Sequence, residues 1–507
     1  MRSRTTASVL NLIFNYTNSL FLVVNGILLL PIYLTFFTLE VYGSYMAITS
    51  IVGMIGLLDG GISLVLTQQL SKSIGSADAS LFSRRLSSAI ALASAFSLLI
   101  LVVGLCVLPF VPQIVKAPPA TVGQVNVAYL ILLLSAALQV LFHVFSAPFQ
   151  AWLRVEKSGF ANLFGVIAGL VVTLLSLSWG LGIVSIAAGF LAKIGSSLAV
   201  VMTLLVVEFR RRRVASQRPT LSVCLEIFRA SWPVQTGSFV KSVVDTSQLL
   251  VITVFLNPLA SGLYVVTSRV YQICTTLLAP IGSSIFSGVS QMHGEGGTAR
   301  VKASVLKVSS LFVTFAIFLL TMTFALNGAF VALWLGPERF GGTLLSFLIC
   351  VSVFATSRTT FLGFNLSAIG MFGKTSLFDQ VGAIVRFLVM VALIGWLGVI
   401  AVPIGEIVGV FGVAGFFVSR TFVRSFHLDE AEARQFIFDG LLSFAFCLLL
   451  AFGWNVVGLS RGGWITFLWS GALFGVLTLI MLSFLRRKTE AAEVARKWFG
   501  RFFRPVA

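Results

Sequence analysis

Charge is scarce in this sequence. Asp, Glu, Lys and Arg make up 10% of its 507 residues, against 58% hydrophobic, and the mean hydropathy is +1.02. A soluble fold of this length needs a charged surface around its core, and too little charge is present to build one. Acid is scarcer than base: 17 Asp and Glu stand against 35 Lys and Arg, for a net charge of +18. The five cysteines (Cys106, Cys224, Cys274, Cys350 and Cys447) have neither paired nor metal-like spacing. That excludes a disulfide framework and a zinc module and leaves them as small apolar filler. The three histidines make no cluster. No Gly-rich phosphate loop ending in Lys-Ser/Thr occurs, nor any nucleophile–base constellation, so ATPase and hydrolase chemistry have no carrier. No enzymatic activity, cofactor or metal is expected.

Apolar runs of about 20 residues recur from end to end, the length that crosses a ~30 Å hydrocarbon core at ~1.5 Å per residue. A β-barrel would show ~10-residue alternating segments instead. The expected fold class is all-α, a polytopic membrane protein of about 14 transmembrane helices. The spans fall near 8–33, 43–66, 86–110, 126–148, 160–180, 183–207, 232–256, 260–286, 306–332, 343–366, 377–396, 400–423, 436–457 and 464–485. Turn chemistry separates them, as at Trp179-Gly180-Leu181-Gly182 and Asn257-Pro258. The basic start, Met1 to Arg4, followed by an apolar stretch without a small-residue cleavage site, reads as a first span rather than a cleavable signal.

Lys and Arg positions set the topology. With the N-terminus inside, 27 of the 35 fall in inside segments, and Lys116, Arg339 and Arg461 alone fall outside. This positive-inside bias predicts that both termini are cytoplasmic. It also accounts for most of the net charge without nucleic acid. Five cations remain within spans: Lys193, Lys241, Arg269, Arg358 and Arg386.

A weak internal repeat organises the chain. Gly43 pairs with Gly262 and Tyr45 with Tyr264 at an offset of 219; Asn162 pairs with Asp379, Gly165 with Gly382 and Gly169 with Arg386 at an offset of 217. The expected organisation is a six-helix lobe at 1–207, a basic cytoplasmic linker at 208–231, a second six-helix lobe at 232–424, two extra transmembrane helices at 436–485 and a cytoplasmic amphipathic tail at 486–507. Both lobes start in the same direction, so the repeat is parallel and its pseudo-two-fold lies along the membrane normal. In the tail, Val494, Trp498 and Phe502 recur every four residues among basic ones, the pattern of an interfacial helix; membrane lipids are its expected partner.

The first helix of each lobe carries a polar stripe. Asn11, Asn15, Asn18 and Asn25 share a face in one; Ser238, Lys241, Asp245 and Gln248 share a face in the other. Asparagines alone serve equally well to bond packed helices. An ionisable residue near the bilayer centre costs roughly 2.5–3.5 kcal/mol, which favours water-lined surroundings for Lys241 and Asp245. Arg269 shares a face with Gln272 and Thr276, Arg386 follows Asp379 by one heptad, and Lys193 sits mid-span. The acids within spans are Asp59, Asp245 and Glu406, with Asp379 at a boundary. The reading is a water-filled lumen with an excess of cations, suited to an anionic group, with each cation neutralised by a neighbouring acid as the alternative.

These features resemble the polysaccharide-transporter branch of the MATE-like (MOP) superfamily, the Wzx-type flippases. The resembling residues are Asn15, Asn25 and Pro31; "VYGSY" from Val41 to Tyr45; "LLDGGIS" from Leu57 to Ser63; Pro233 and Asp245; and "SGLY" from Ser261 to Tyr264. Gly60-Gly61-Ile62 departs slightly from the family's usual pattern after the acid. The resemblance implies alternating access and a cargo, a polyprenyl-diphosphate-linked oligosaccharide of O-antigen, capsule or exopolysaccharide type, turned from the inner to the outer leaflet of the bacterial inner membrane. Lys241, Arg269, Arg386 and Lys193 would meet the diphosphate, and Asn15, Asn18, Asn25 and Gln248 the sugars. Asp59, Asp245 and Glu406 would couple transport to H+ or Na+. A polysaccharide polymerase and a chain-length regulator are the expected partners. The alternatives are a peptidoglycan lipid-precursor flippase, a MATE-like small-molecule antiporter and a membrane scaffold acting through its basic linker and tail. The topology has a direct check: a green fluorescent protein fused after Arg218 should fluoresce, and one fused after Lys116 should stay dark.

Overall fold

In the computed structural model, residues 26–59, 62–75, 78–152, 154–212, 217–294, 298–460 and 462–486 are described. The described residues are helical throughout, with no strand among them. The elements are α1 (Gly26–Phe36), α2 (Leu39–Gly56), α3 (Ile62–Gly75), α4 (Ala79–Val107), α5 (Val111–Ile114), α6 (Val122–Ala151), α7 (Val155–Ser178), α8 (Val184–Arg212), α9 (Leu221–Phe255) and α10 (Pro258–Gly294). They continue as α11 (Thr298–Trp334), α12 (Thr343–Ala368), α13 (Phe372–Leu397), α14 (Ala401–Glu406), a π-helical run (Ile407–Ala414), α15 (Gly415–Ser425), α16 (Glu430–Val457) and α17 (Trp464–Leu485).

Ten stretches are long and apolar enough to cross a membrane, and one of them, Phe372–Ser425, holds two crossings on either side of the turn Gly398–Ile400. With α9 and α10, of 35 and 37 residues, and the first span seen in part as α1, this matches the expected 14. Large apolar side chains such as Trp396, Ile465, Leu468 and Trp469 are exposed on these helices, as a lipid-facing surface requires. The chain is a multi-pass membrane protein.

Helix ends follow local chemistry. Asp78 caps α4 by accepting from the Leu81 amide at 2.8 Å, which holds its carboxyl below the usual range. Asp429 and Glu432 make a reciprocal capping box at the start of α16. Glu432 also takes Lys302 Nζ at 2.5 Å, and that contact lowers its carboxyl further. At the predicted Asn257-Pro258 break, α10 begins on Pro258 and the Asn257 side chain accepts from the Ala260 amide at 2.8 Å.

Some boundaries differ from those drawn on the sequence. The second span, expected at 43–66, is α2 followed by a single 3-10 turn at Leu57–Asp59, with α3 beginning after Gly60-Gly61. The linker drawn at 208–231 is largely helix, because α8 continues to Arg212 and α9 begins at Leu221. Arg210, Arg211 and Arg212 favour the C-terminal end of α8, where the helix dipole is negative. The tail beyond Arg486 and the asparagines of the first span lie outside the described residues.

The chain divides into two compact units, Met1–Gly262 and Leu263–Ala507. The lobe boundary expected from the sequence put residues 232–256 in the second lobe; by its contacts α9 belongs with the first unit, where it packs on α2, α3 and α4. The first unit's core is built from α2, α3, α4, α6 and α8, around Tyr129, Phe149, Leu66 and Ile48. In the second unit α11 packs against α12, α16 and α17, and α13 packs against α14 and the π-helical run.

Glycine sets the close helix crossings, as expected where lipid supplies no hydrophobic drive for helix association. Within the first unit, a Cβ on Gly43 would run into the Pro258 carbonyl oxygen, and one on Gly262 would lie 2.8 Å from the Leu39 carbonyl oxygen. Leu39 and Pro258 are separated by the same 219 residues as Gly43 and Gly262. Ser261 Oγ donates to the Gly43 carbonyl at 3.1 Å across the same contact. Gly43→Val should cost about 1–3 kcal/mol by overpacking. Thermal unfolding in detergent should therefore show a clear loss for Gly43→Val and little change for Gly56→Ala, where the added methyl meets open space.

Candidate functional site

Among the described residues, three settings hold polar groups within the membrane helices at close helix packing. The first is α9. Lys241 and Gln248 are half-buried and Asp245 is exposed, while Val244 and Ser247 between them are buried. Thr246 anchors the helix, its methyl lying 2.6 Å from where a Cβ on Gly53 of α2 would stand. α9 thus packs through one set of residues and leaves the predicted polar ones accessible. Ser238 is outside the side chains described.

The second setting is the α7–α8 crossing. A Cβ on Gly169 would lie 2.6 Å from the Gly189 carbonyl oxygen and 2.9 Å from Lys193 Cβ. Gly165 meets Ser197 and the Lys193 carbonyl in the same way. Lys193 therefore starts from within the close crossing. Its side chain is half-buried, with Nζ 5.7 Å from the Phe190 ring centroid, a cation–π arrangement.

The third lies in the second unit. Arg386 of α13 is buried, and its Nη1 stands 3.6 Å from Glu406 Oε1. Thr356 Oγ1 of α12 donates to the same oxygen at 3.3 Å. The buried Tyr264 lies within electrostatic reach of both charges. Glu406 is the last residue of α14, and the eight-residue π-helical run begins directly after it. Such departures from α-geometry recur at functional positions in helices. Close approach again depends on glycine: a Cβ on Gly409 would lie 2.6 Å from Arg386 Cβ, and one on Gly405 2.8 Å from the Arg386 carbonyl oxygen.

Two predicted roles thus meet in one pair. Arg386, expected to face a phosphate, and Glu406, expected to carry a coupling ion, are each other's partners, and together they are neutral. Arg269 is placed differently. It is half-buried on α10, and its Nη1 donates to Gln272 Oε1 at 3.3 Å, with Thr275 and Thr276 following on the helix. Asp379 is half-buried near the start of α13. Asp59 ends the 3-10 turn after α2, and its side chain is not among those described; Asn15, Asn18 and Asn25 lie outside the described residues. Arg358 is buried within α12.

Sequence reasoning passed over Glu208. It is 1% exposed at the end of α8, and Arg154, Lys157 and Arg212 converge on it. The clue was present: an acid four residues before an arginine, at the end of an apolar helix.

With this geometry in view, the comparisons with known proteins are decisive for the family. The family model described as "Polysaccharide biosynthesis protein" matches residues 9–293. The chain belongs to that family. No curated protein matches the sequence. Among solved structures, the fold is similar to a lipid II flippase, MurJ, in an inward closed conformation: TM-score 0.70, 15% identity, covering 95% of this chain and 99% of that one. It is also similar to an inward-facing multidrug-resistance MATE transporter of the MOP superfamily: TM-score 0.63, 14% identity, covering 81% and 96%. A mutant MATE transporter from Vibrio cholerae aligns with TM-score 0.53 at 16% identity, covering 84% and 99%. These likenesses place this polysaccharide biosynthesis family member in the MOP transporter fold, as its sequence led us to expect.

The Arg386–Glu406 pair yields a clean test. Removing one partner of a buried ion pair costs roughly 3–5 kcal/mol, whereas replacing both by apolar residues is often neutral. Glu406→Met alone should sharply lower the unfolding temperature. Glu406→Met combined with Arg386→Met should recover most of the loss.

Proposed function

We propose that this protein is a flippase for a polyprenyl-diphosphate-linked oligosaccharide, moving it from the inner to the outer leaflet of the bacterial inner membrane by alternating access, with both termini cytoplasmic. The observation that carries the reading is the accessibility of Lys241 and Arg269, which keep surface open on long helices within a family of polysaccharide biosynthesis proteins. A diphosphate is anionic and needs cations where water is scarce. Saccharide hydroxyls need hydrogen-bonding partners, which Gln248 and Gln272 offer beside those cations.

In this reading the two groups of cations have different tasks. Lys241, in the first unit, and Arg269, in the second, are each open to a headgroup. Arg386 is held by Glu406, so an arriving phosphate competes with the carboxylate for it. A proton on Glu406 would weaken its hold on Arg386 and help the exchange, which makes Glu406 the coupling group we favour over Asp245 and Asp59. Transport then needs no covalent chemistry by the protein.

A peptidoglycan lipid-precursor flippase is the second reading, supported by the near-complete mutual coverage with the lipid II flippase structure. A reconstituted assay separates the two. Proteoliposomes would carry either a fluorescent polyprenyl-diphosphate oligosaccharide or fluorescent lipid II, with leaflet exchange read by quenching from outside. We expect exchange of the oligosaccharide lipid, and about a tenfold or greater slowing by Lys241→Ala or Arg269→Ala, on the view that each supplies a charge-assisted contact of roughly 1.5–3 kcal/mol. Exchange of lipid II alone would favour the second reading, and full rates in both variants would remove the headgroup role from these residues.

A further inference from the structure

We propose that Arg154, Lys157 and Arg212, gathered on Glu208, form a binding site for a phosphate-bearing lipid headgroup at the membrane surface. Glu208 is the hub. Its Oε2 accepts from Lys157 Nζ at 2.6 Å and from Arg154 Nη1 at 3.2 Å, and its Oε1 accepts from Arg212 Nε at 2.6 Å. The carboxylate side chain is 1% exposed, whereas those of Arg154, Lys157 and Arg212 keep 30%, 23% and 36% of their surface. One acid therefore sits sealed beneath three cations that remain open.

The charge count is the argument. A buried carboxylate needs one cation for neutrality, and Arg212, on the same helix four residues on, already supplies it. Arg154 and Lys157, from the start of α7 and the turn before it, add two positive charges, and Glu156, the acid between them in the sequence, balances one of these at most. Three cations held within reach of one carboxylate repel one another, and an anion on their exposed side relieves that repulsion. The location supplies such anions. α8 is an apolar membrane-crossing helix, and the cluster lies at its basic end, where phosphates of the adjoining leaflet collect and basic pockets between helices bind headgroups.

Aromatic packing fixes the cluster in place. The Arg212 guanidinium lies 4.5 Å from the Trp152 ring centroid, and Lys157 Nζ lies 5.7 Å from that of Phe149. Trp152 is stacked on Phe82 and meets Phe149 and Phe209 edge-on. A tryptophan at this depth belongs at the headgroup level. The cations are thus preorganised by a buried acid and by rings. The site stands apart from the transport reading and does not depend on what the protein carries.

Two sources offer the same phosphate chemistry: a resident anionic phospholipid, or the diphosphate of a polyprenyl cargo. Native mass spectrometry of the full-length protein in detergent distinguishes them, with phosphatidylglycerol, phosphatidylcholine and undecaprenyl diphosphate as probes. The informative variant is Arg154→Gln with Lys157→Gln, which removes the surplus charge and leaves Glu208 paired with Arg212. Arg84→Gln with Arg420→Gln removes two exposed cations elsewhere as a control. We expect retention of phosphatidylglycerol above phosphatidylcholine, reduced about tenfold or more in the first variant and unchanged in the control. Retention of undecaprenyl diphosphate alone, lost in the same variant, would keep the site and assign it to cargo. The proposal is overturned if the wild-type protein retains neither anionic probe above phosphatidylcholine, if the first variant retains them as the wild type does, or if the control loses as much.

Discussion

Helices in this protein approach one another through glycine, and at two of the close approaches a cation is seated. In the first unit Gly169 of α7 faces Lys193 of α8; in the second, Arg386 of α13 faces Gly409 of the π-helical run. Missing Cβ atoms let the backbones come close enough for main-chain carbonyls to lie against the opposing helix. A long charged side chain that starts in such a crossing has its stem covered by protein and not by lipid. For a chain in hydrocarbon that cover is decisive, because an unshielded charge costs several kcal/mol and lipid gives nothing in return. Glycine thus makes the helix packing and also makes buried charge tolerable.

Acid is the second constraint, because the chain has so little of it. Glu208 gathers three cations, and Glu406 holds Arg386 with Thr356 bonded to the same oxygen. The two arrangements differ in net charge. Glu406 and Arg386 cancel, inside the second unit. Glu208 is outnumbered by the three cations gathered on it. An inventory of acids and bases by span cannot tell these cases apart; the difference lies in which cations the fold brings to each carboxylate.

Much of this was legible in the sequence. Hydropathy and turn chemistry located the crossings, because twenty apolar residues in a row have few other uses. The glycines matched in the sequence, Gly43 with Gly262 and Gly165 with Gly382, all fall at close helix contacts. The ion partners were less legible. Arg386 and Glu406 are twenty residues apart on different helices, and no helical periodicity relates them; only the crossing of α13 with α14 and the π-helical run does. The linker ends were misplaced for a similar reason. Charge was read as the end of a helix, whereas Glu208 and the arginines after it continue α8 by pairing at four-residue spacing and by meeting the negative end of its dipole.

The weak sequence repeat relates positions of unlike charge in the two units. Gly169 and Arg386 are equivalent positions at the offset of 217, and Lys193 at the same offset falls on Val410, next to Gly409. Cation and glycine have therefore changed sides across equivalent crossings. Either order satisfies the steric requirement, since one partner must lack a side chain and the other is free to carry a long one. The consequence is electrostatic. In the first unit the cation leaves α8 toward the Phe190 ring; in the second it leaves α13 toward Glu406, beside a run of π-helix whose widened turn re-aims the residues around it. Positions at one sequence offset can in this way carry different charges without disturbing the close packing at either crossing.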